Sequence, residues 1–151
     1  MESNVIIPKN DVQDVIILTN DVQDVSRLNS FVDEACTAKG LDLPTTTQMN
    51  LAVEEAVVNV MYYAYPEGTR GDIFVKALAD DDSLTFVISD QGVPFDPTSV
   101  DDPDTTLEAD ERALGGLGIY LTRHYMDIVS YERKDGWNIL TLKKFFPHQQ
   151  P

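Results

Sequence analysis

The sequence has little cysteine, histidine or positive charge, and each shortage excludes a class of protein. One cysteine, Cys36, allows no internal disulfide, and with only two histidines there is no cluster that suggests zinc. Eleven Lys and Arg against 26 Asp and Glu give a net charge of −15, which argues against nucleic acid and against an anionic membrane as partners. No apolar run approaches the ~20 residues of a membrane span, and residues 1–10 do not read as a signal peptide. We therefore expect a cytoplasmic protein.

The length of 151 residues indicates one domain, large enough to bury a core without disulfides or a structural metal. We expect an N-terminal extension and first strand over 1–19, the domain proper over 20–146 and a tail over 147–151. The segment Asn10–Val15 recurs without change as Asn20–Val25. Two copies do not make a repeat protein. The second copy is expected to be the structural one, because an amphipathic helical pattern follows it directly.

The order of predicted elements is β-α-α-β-β-loop-α-β-β. The first helix is expected to have its N-cap at Asn20 or Asp21 and to end at Gly40. The second is expected to span roughly Thr46–Ala64 with its N-cap within Pro44–Thr47. The other predicted elements are strands at Ile73–Ala79, Leu84–Ser89, Ile128–Arg133 and Asn138–Phe145, a loop at Pro97–Ala113 and a helix at Ile119–Met126. This order predicts an α+β fold, a two-layer α/β sandwich whose helices cover one face of a mixed, mostly antiparallel sheet.

The second helix carries two polar side chains on one margin of its apolar stripe. At ~100° per residue, Glu55 and Asn59 lie ~40° apart, whereas Glu54 lies ~140° from Asn59 on the opposite margin. Glu55 is thus a candidate general base and Asn59 a candidate Mg²⁺ ligand. Taken alone, the same residues also fit an ordinary solvated helix margin.

Two further segments suit a nucleotide. Asp90 ends a strand, where its carboxylate can accept a hydrogen bond from an exocyclic amine such as that of adenine, and Gly92 allows close approach of the backbone. An ordinary turn after a strand is the alternative. Gly115–Gly118 precedes a helix and offers N–H groups to phosphate, although a flexible hinge fits equally well. The long loop at Pro97–Ala113 is expected to act as a lid. Because the chain is so acidic, ATP binding would need local neutralisation of the phosphates, and we expect a divalent cation to supply it.

Together these segments resemble the three sequence boxes of the GHKL (Bergerat-fold) ATPases, and among them the anti-sigma-factor serine kinases. Glu55–Asn59 resembles the N box, Asp90–Pro97 the G1 box and Gly115–Leu121 the G2 box, in the family's order. The likeness runs from about Asn20 to Lys144, so the resemblance implies that 20–146 is a histidine-kinase-like ATPase domain. Tyr63 stands where a number of relatives have His, and Val93-Pro94 stands where many have Gly.

The resemblance implies the cofactors ATP and Mg²⁺ and a role for each residue of the boxes. Glu55 would deprotonate a protein serine, Asn59 would coordinate Mg²⁺, and Asp90 with Gly92 would bind adenine. Thr141 falls where the family's late strand reaches the adenine. The other nucleotide-binding residues implied are Tyr63, Phe95, Arg112, Gly115, Gly116, Leu117, Gly118 and Ile119. For Arg112, a surface ion pair with Glu108 is an equally good interpretation.

The implied function is that of an ATP-dependent serine protein kinase and anti-sigma factor. Such proteins bind a sigma factor, phosphorylate an anti-sigma-factor antagonist of the STAS type and commonly form homodimers. The alternative is a nucleotide-gated partner-switching protein without significant catalysis. The catalytic half of a histidine kinase is not expected, because nothing before Asn20 resembles a helix pair with a phospho-accepting His.

Overall fold

A computed structural model describes residues 12–99 and 119–147, which form one antiparallel sheet with helices on one face. The strands are β1 (Val12–Thr19), β2 (Asp72–Ala79), β3 (Ser83–Asp90), β4 (Ile128–Lys134) and β5 (Trp137–Phe145), in the order β1-β2-β3-β5-β4. The helices are α1 (Val25–Lys39), α2 (Leu43–Tyr63) and α3 (Tyr120–Tyr125), with 3-10 turns at Val22–Asp24 and Pro97–Ser99. The expected α+β class is confirmed, and every pairing among the described strands is antiparallel.

The alternation of side chains along the strands decides which face the helices cover. In β3, Leu84, Phe86 and Ile88 are buried, whereas the residues between them lie partly exposed on the other face. Helices α1 and α2 pack on the buried face, where Leu28, Val32 and Cys36 of α1 meet the apolar stripe of α2. Burial raises the pKa of the Cys36 thiol to about 11, so this cysteine is an unreactive core residue. None of the described helices is both long enough and apolar enough to cross a membrane.

The helix ends follow capping chemistry, with two corrections. The predicted cap Asp21 serves the 3-10 turn before α1, whereas α1 itself begins after Asp24 without a side-chain cap. Gly40 ends α1 at φ 83°, the left-handed conformation expected of a glycine in this position. The cap of α2 was predicted within Pro44–Thr47, but it is Asp42, whose side chain accepts the Thr45 N–H at 2.9 Å. Pro44 instead occupies the first turn, where its missing N–H costs no hydrogen bond.

The described parts of the two copies of the duplicated segment adopt different structures, so the prediction that the second copy is the structural one was incomplete. Val12–Val15 of the first copy belong to β1 and pair with β2 from Ala79 to Lys76. In the second copy, Asp21 caps the 3-10 turn and Val25 begins α1. The Asp24 carboxylate accepts the Thr19 N–H at 2.8 Å, which holds the turn against the end of the strand. Identical residues fold differently because only the first copy lies beside a strand with which it can pair.

Candidate functional site

The two adjacent glutamates of α2 face different neighbours, as their helical spacing predicts. Glu54 Oε1 accepts a hydrogen bond at 3.1 Å from the Asn29 amide of α1. Glu55 Oε1 instead accepts the Thr122 N–H of α3 at 3.1 Å. Thr122 is fully buried, and its hydroxyl donates to the Ala52 carbonyl of α2 at 2.6 Å. The carboxyl of Glu55 is therefore held where α3 meets α2.

The surroundings of Glu55 change its acidity. Burial raises the pKa of the Glu55 carboxyl above its ordinary value, and the backbone N–H groups of Thr122 and Leu121 and the charge of Arg123 oppose that rise. Arg123 also donates to the Thr98 carbonyl, which ties α3 to the second 3-10 turn. Sequence reasoning missed Thr122 and Arg123, because no local pattern shows which residues of α3 face α2. A carboxyl whose pKa is raised toward neutrality is suited to accepting a proton.

Asn59 lies one turn beyond Glu55 and is buried, with 1% of its surface exposed. Its amide oxygen is a hard donor of the kind that Mg²⁺ accepts. In the part of the chain that the structure describes, no group of three or more His, Cys, Asp or Glu could hold a metal by itself. A Mg²⁺ ion here would be shared between Asn59, phosphate oxygens and water, an arrangement that Mg²⁺ commonly adopts in nucleotide sites.

Asp90 ends β3 on the same face as the helices and is 1% exposed. Its Oδ1 accepts the Gly92 N–H at 2.8 Å and the Asn138 amide at 2.9 Å. Burial raises the pKa of the Asp90 carboxyl, and the hydrogen bonds from Asn138 and Gly92 and the charge of Arg133 oppose the shift. Because both bonds end on Oδ1, the second carboxylate oxygen is the acceptor that can serve a ligand amine.

Asn138 of β5 organises the segment after Asp90, and sequence reasoning missed it. Besides donating to Asp90, its amide donates to the Val93 carbonyl at 2.8 Å. Its Oδ1 accepts the Phe95 N–H at 3.2 Å and the hydroxyl of Tyr131. Asn138 lies two residues before the buried Leu140 and shares its inward face of β5, so a polar side chain at an inward strand position was the available signal.

Replacing Asn138 by Ala should destabilise the domain by about 2–4 kcal/mol, since it leaves several buried polar groups without partners. Chemical denaturation measures the change. Asn29→Ala is the matched control, because Asn29 also donates two side-chain hydrogen bonds, to Asn50 and Glu54, but lies only part-buried between α1 and α2. Equal losses in the two variants would mean that Asn138 is no more than an ordinary hydrogen-bonded asparagine.

Gly92 is required for packing as well as for any approach of a ligand. A Cβ at this position would lie 2.2 Å from the carbonyl oxygen of Ala64, at the end of α2. The next residue, Val93, donates its N–H to the same oxygen at 2.7 Å. The loop after β3 is thus fastened to the end of α2, close to Tyr63. The rings of Tyr63 and Phe95 lie 5.4 Å apart across this junction.

Some predicted site residues do not meet the others. Thr141 pairs with Val87 and alternates with the buried Leu140 and Leu142, so it lies on the sheet face opposite the helices. Its placement at the adenine site is corrected for this reason, and the inward position beside Asp90 belongs to Asn138. The side chain of Ile119 is buried in the core. Arg112, Gly115, Gly116, Leu117 and Gly118 lie outside the described residues.

A buried carboxylate at the end of β3 and a buried amide at the start of β5, with a helix-borne Glu and Asn above the same sheet face, characterise this class of α+β domain. The chain belongs to the histidine kinase-like ATPase domain family, whose profile matches residues 18–144. The expected membership of the GHKL ATPases is thereby confirmed.

Among individual proteins, the chain is 34% identical over 94 residues to the serine/threonine-protein kinase BtrW of Bordetella bronchiseptica. It is 33% identical over 101 residues to the serine-protein kinase RsbW of Bacillus pumilus, and 29% identical over 101 residues to RsbW of Bacillus subtilis. The match to BtrW covers 62% of this chain and 66% of BtrW. Each match to RsbW covers 63% of this chain and 62% of that protein. The similar segment therefore spans less than two thirds of the length of each of these relatives.

Proposed function

We propose that this chain is an ATP-dependent serine protein kinase and anti-sigma factor, which binds a sigma factor and phosphorylates a serine of its antagonist. The observation that carries the proposal is Glu55, a half-buried carboxyl with a raised pKa one helical turn from Asn59. Nucleotide binding alone requires no such group. The printed names of the similar proteins, which are serine or serine/threonine kinases, support the same chemistry.

In the proposed reaction, Glu55 accepts the proton of a serine hydroxyl as that oxygen attacks the γ-phosphate of ATP, and ADP leaves. Phosphoryl transfer depends mainly on positioning, charge neutralisation and a base beside the attacking oxygen. Asp90 would orient the adenine through its amine, and Tyr63 and Phe95 would pack beside the nucleotide. The N–H groups of Thr122 and Leu121 and the charge of Arg123 oppose the rise that burial produces in the pKa of Glu55, and would favour the ionised form that can accept a proton.

Mg²⁺ would supply the charge neutralisation by binding the phosphate oxygens, and Asn59 would hold it from the protein side. We propose Gly115–Gly118 as the phosphate cradle and Arg112 as a phosphate or lid contact, on the resemblance of their sequence to the family's G2 region. The partners remain part of the same proposal, a sigma factor and an antagonist of the STAS type, together with a second copy of this chain in a homodimer.

One contact favours a second function, a nucleotide-gated binding protein without significant catalysis. Glu55 accepts the Thr122 N–H within α3, so its role could be to hold this helix against α2. In that case nucleotide would change partner affinity through α3, and no phosphate would be transferred. Incubation with labelled ATP and the antagonist separates the functions, because only the kinase yields phosphoserine.

Calorimetric titration with ATP and ADP tests the nucleotide site itself. We expect saturable binding that is tighter with Mg²⁺ than without it. The Asn59→Ala variant should lose the Mg²⁺-dependent part of ATP affinity, about tenfold, and keep the affinity measured without the metal. Asn50→Ala is the control on the same helix, since the Asn50 amide is directed at Asp33 of α1. If the Asn59→Ala substitution left the titration curves in Mg²⁺ unchanged, Asn59 would not be a ligand of the metal.

A further inference from the structure

A cleft opens at the end of the sheet where β2 begins and β3 and β4 end. It lies between residues 65–72 and residues 91–94, and its volume is about 740 Å³. The cleft is not lined by the proposed site residues Glu55, Asn59, Asp90 and Asn138. Gly92 borders both the cleft and the proposed nucleotide site. The volume falls within the range of about 300–1,000 Å³ that is usual for small-molecule sites. We call it the arginine cleft, for the two arginines described below.

Fixed groups form the walls of the arginine cleft. The hydroxyl of Tyr65 donates to the Asp72 carbonyl at 2.7 Å and accepts the Gln91 N–H at 3.2 Å, so it joins the two segments that border the cleft. Phe74 lines the apolar side, and its ring lies 5.6 Å from that of Trp137. The cleft thus has rigid walls before any ligand enters, which reduces the entropy cost of binding.

The charge of the arginine cleft is opposite to that of the whole chain. Arg70 and Arg133 both line it, against the single carboxylate of Asp72. Within the described residues, neither arginine forms a salt bridge. In a chain of net charge −15, an excess of guanidinium in one concave site is unusual. Guanidinium groups recognise carboxylate and phosphate through paired hydrogen bonds.

We propose that the arginine cleft binds a small organic anion. Its carboxylate or phosphate would lie against the guanidinium groups of Arg70 and Arg133, and its apolar part would pack against Phe74. The volume of about 740 Å³ and the apolar wall of Phe74 favour a small molecule over an acidic peptide, which would need an extended groove.

The cleft is connected to the nucleotide site through Arg133. This side chain donates to the Gly92 carbonyl at 2.9 Å, and the Gly92 N–H donates to Asp90 at 2.8 Å. Burial raises the pKa of the Asp90 carboxyl, and the charge of Arg133 is one of the effects that partly oppose this rise. An anion bound to Arg133 would weaken that effect and favour protonated Asp90, which is a poorer acceptor for adenine. This coupling rests on the proposed function; binding of the anion itself does not. By reciprocity, nucleotide would weaken anion binding by the same factor.

Trp137 provides the measurement, since it is the one tryptophan of the chain and contacts the Phe74 wall. The full chain without nucleotide is titrated with phenyl phosphate and with 3-phenylpropionate, which separate phosphate from carboxylate recognition. We expect a saturable fluorescence change with a Kd of about 1 mM or tighter at ~0.15 M salt. Arg70→Gln and Arg133→Gln should each weaken binding about tenfold. Arg27→Gln, an exposed arginine of α1, is the matched control and should change nothing.

Three results would overturn the proposal: no saturation by either probe, equal affinity in Arg70→Gln and the unsubstituted protein, or saturation by hexaglutamate alone. The last would make the cleft a docking site for an acidic peptide. The coupling is tested separately by titrating ADP with and without saturating probe, where we expect about fivefold weaker ADP binding. Unchanged ADP affinity would refute the coupling. If ADP does not bind at all, the proposed function fails, while the fluorescence titrations still decide the cleft.

Discussion

A Glu55→Gln variant is expected to bind ATP with unchanged affinity and to lose phosphate transfer by about 10²–10⁴-fold. The amide of Gln has the shape of the carboxyl, and its oxygen can still accept the Thr122 N–H that Glu55 accepts. The contact between α2 and α3 therefore survives, and what disappears is the ability to take a proton. Labelled phosphate transferred to the antagonist measures the rate, and calorimetry measures the affinity.

The neighbouring Glu54 provides a closely matched control. It has the same charge on the same helix, but its carboxylate accepts from Asn29 of α1. Glu54→Gln should therefore transfer phosphate at the normal rate. If Glu55→Gln did the same, Glu55 would be a residue that holds α3, and the nucleotide-gated binding protein would become the better account. A loss in both variants would indicate a general effect of charge on α2.

An Asp90→Asn variant is expected to lose nucleotide affinity by about 30–100-fold, because a charged hydrogen-bond acceptor contributes roughly 2–3 kcal/mol in a buried site. Asp90 has two acceptor oxygens, of which Oδ1 is used by Gly92 and Asn138. Asparagine has one acceptor oxygen and one amide group. If the asparagine oxygen takes the place of Oδ1, the asparagine amide faces the adenine amine. Two hydrogen-bond donors then point at each other, and the hydrogen bond to adenine is lost. Calorimetric titration with ADP checks the loss.

The same variant should become more stable relative to the unsubstituted protein as pH rises. The folded state holds the Asp90 proton more tightly than the unfolded chain, because burial raises the folded pKa. Ionised Asp90 therefore costs stability above the raised pKa, and this cost vanishes below the ordinary pKa of about 4. Denaturation of Asp90→Asn and the unsubstituted protein between about pH 4 and pH 7 should show the gap widening toward neutrality.

Asp80→Asn is the control of opposite sign. Hydrogen bonds from Ser83 and Asp82 lower the pKa of Asp80, so its ionised form stabilises the turn between β2 and β3. Near neutral pH, the Asp80→Asn variant should therefore be less stable than the unsubstituted protein. As the pH falls, the Asp80 carboxyl of the unsubstituted protein is protonated first in the unfolded state and then in the folded state, so the difference in stability should disappear. The same trend in both variants would contradict the assignment of burial as the cause at Asp90.

Local sequence patterns predicted a large part of this molecule. The strands from Ile73 to Ser89 and the final hairpin form within one residue or two of their predicted bounds. Helical spacing alone separated Glu54 from Glu55, because a rotation of ~100° per residue turns adjacent side chains to different neighbours. The boundary errors occurred where the cap was a single side chain, as with Asp42 before α2.

The contacts of the candidate site were much less predictable. Asn138 follows Asp90 by 48 residues and joins it only because β3 and β5 pair in one register. Thr122 reaches Glu55 across 67 residues. The error at Thr141 has the same origin, since a shift of one residue along a strand moves a side chain to the other face of the sheet. A resemblance to a family locates a segment to within a few residues. That precision is too low to decide which face of the sheet a given side chain occupies.

The sequence by itself determined the class of fold, the acidic character and the order of the three segments that resemble a nucleotide site, because these depend on composition and on periodicities of a few residues. Only the tertiary structure decided which polar groups meet, that Asn138 supports Asp90, and that two arginines face a common cleft. The duplicated hexapeptide shows the reason most directly. Its two copies carry the same local preferences, and the partner available to each, a strand for one and a helix start for the other, decides its conformation.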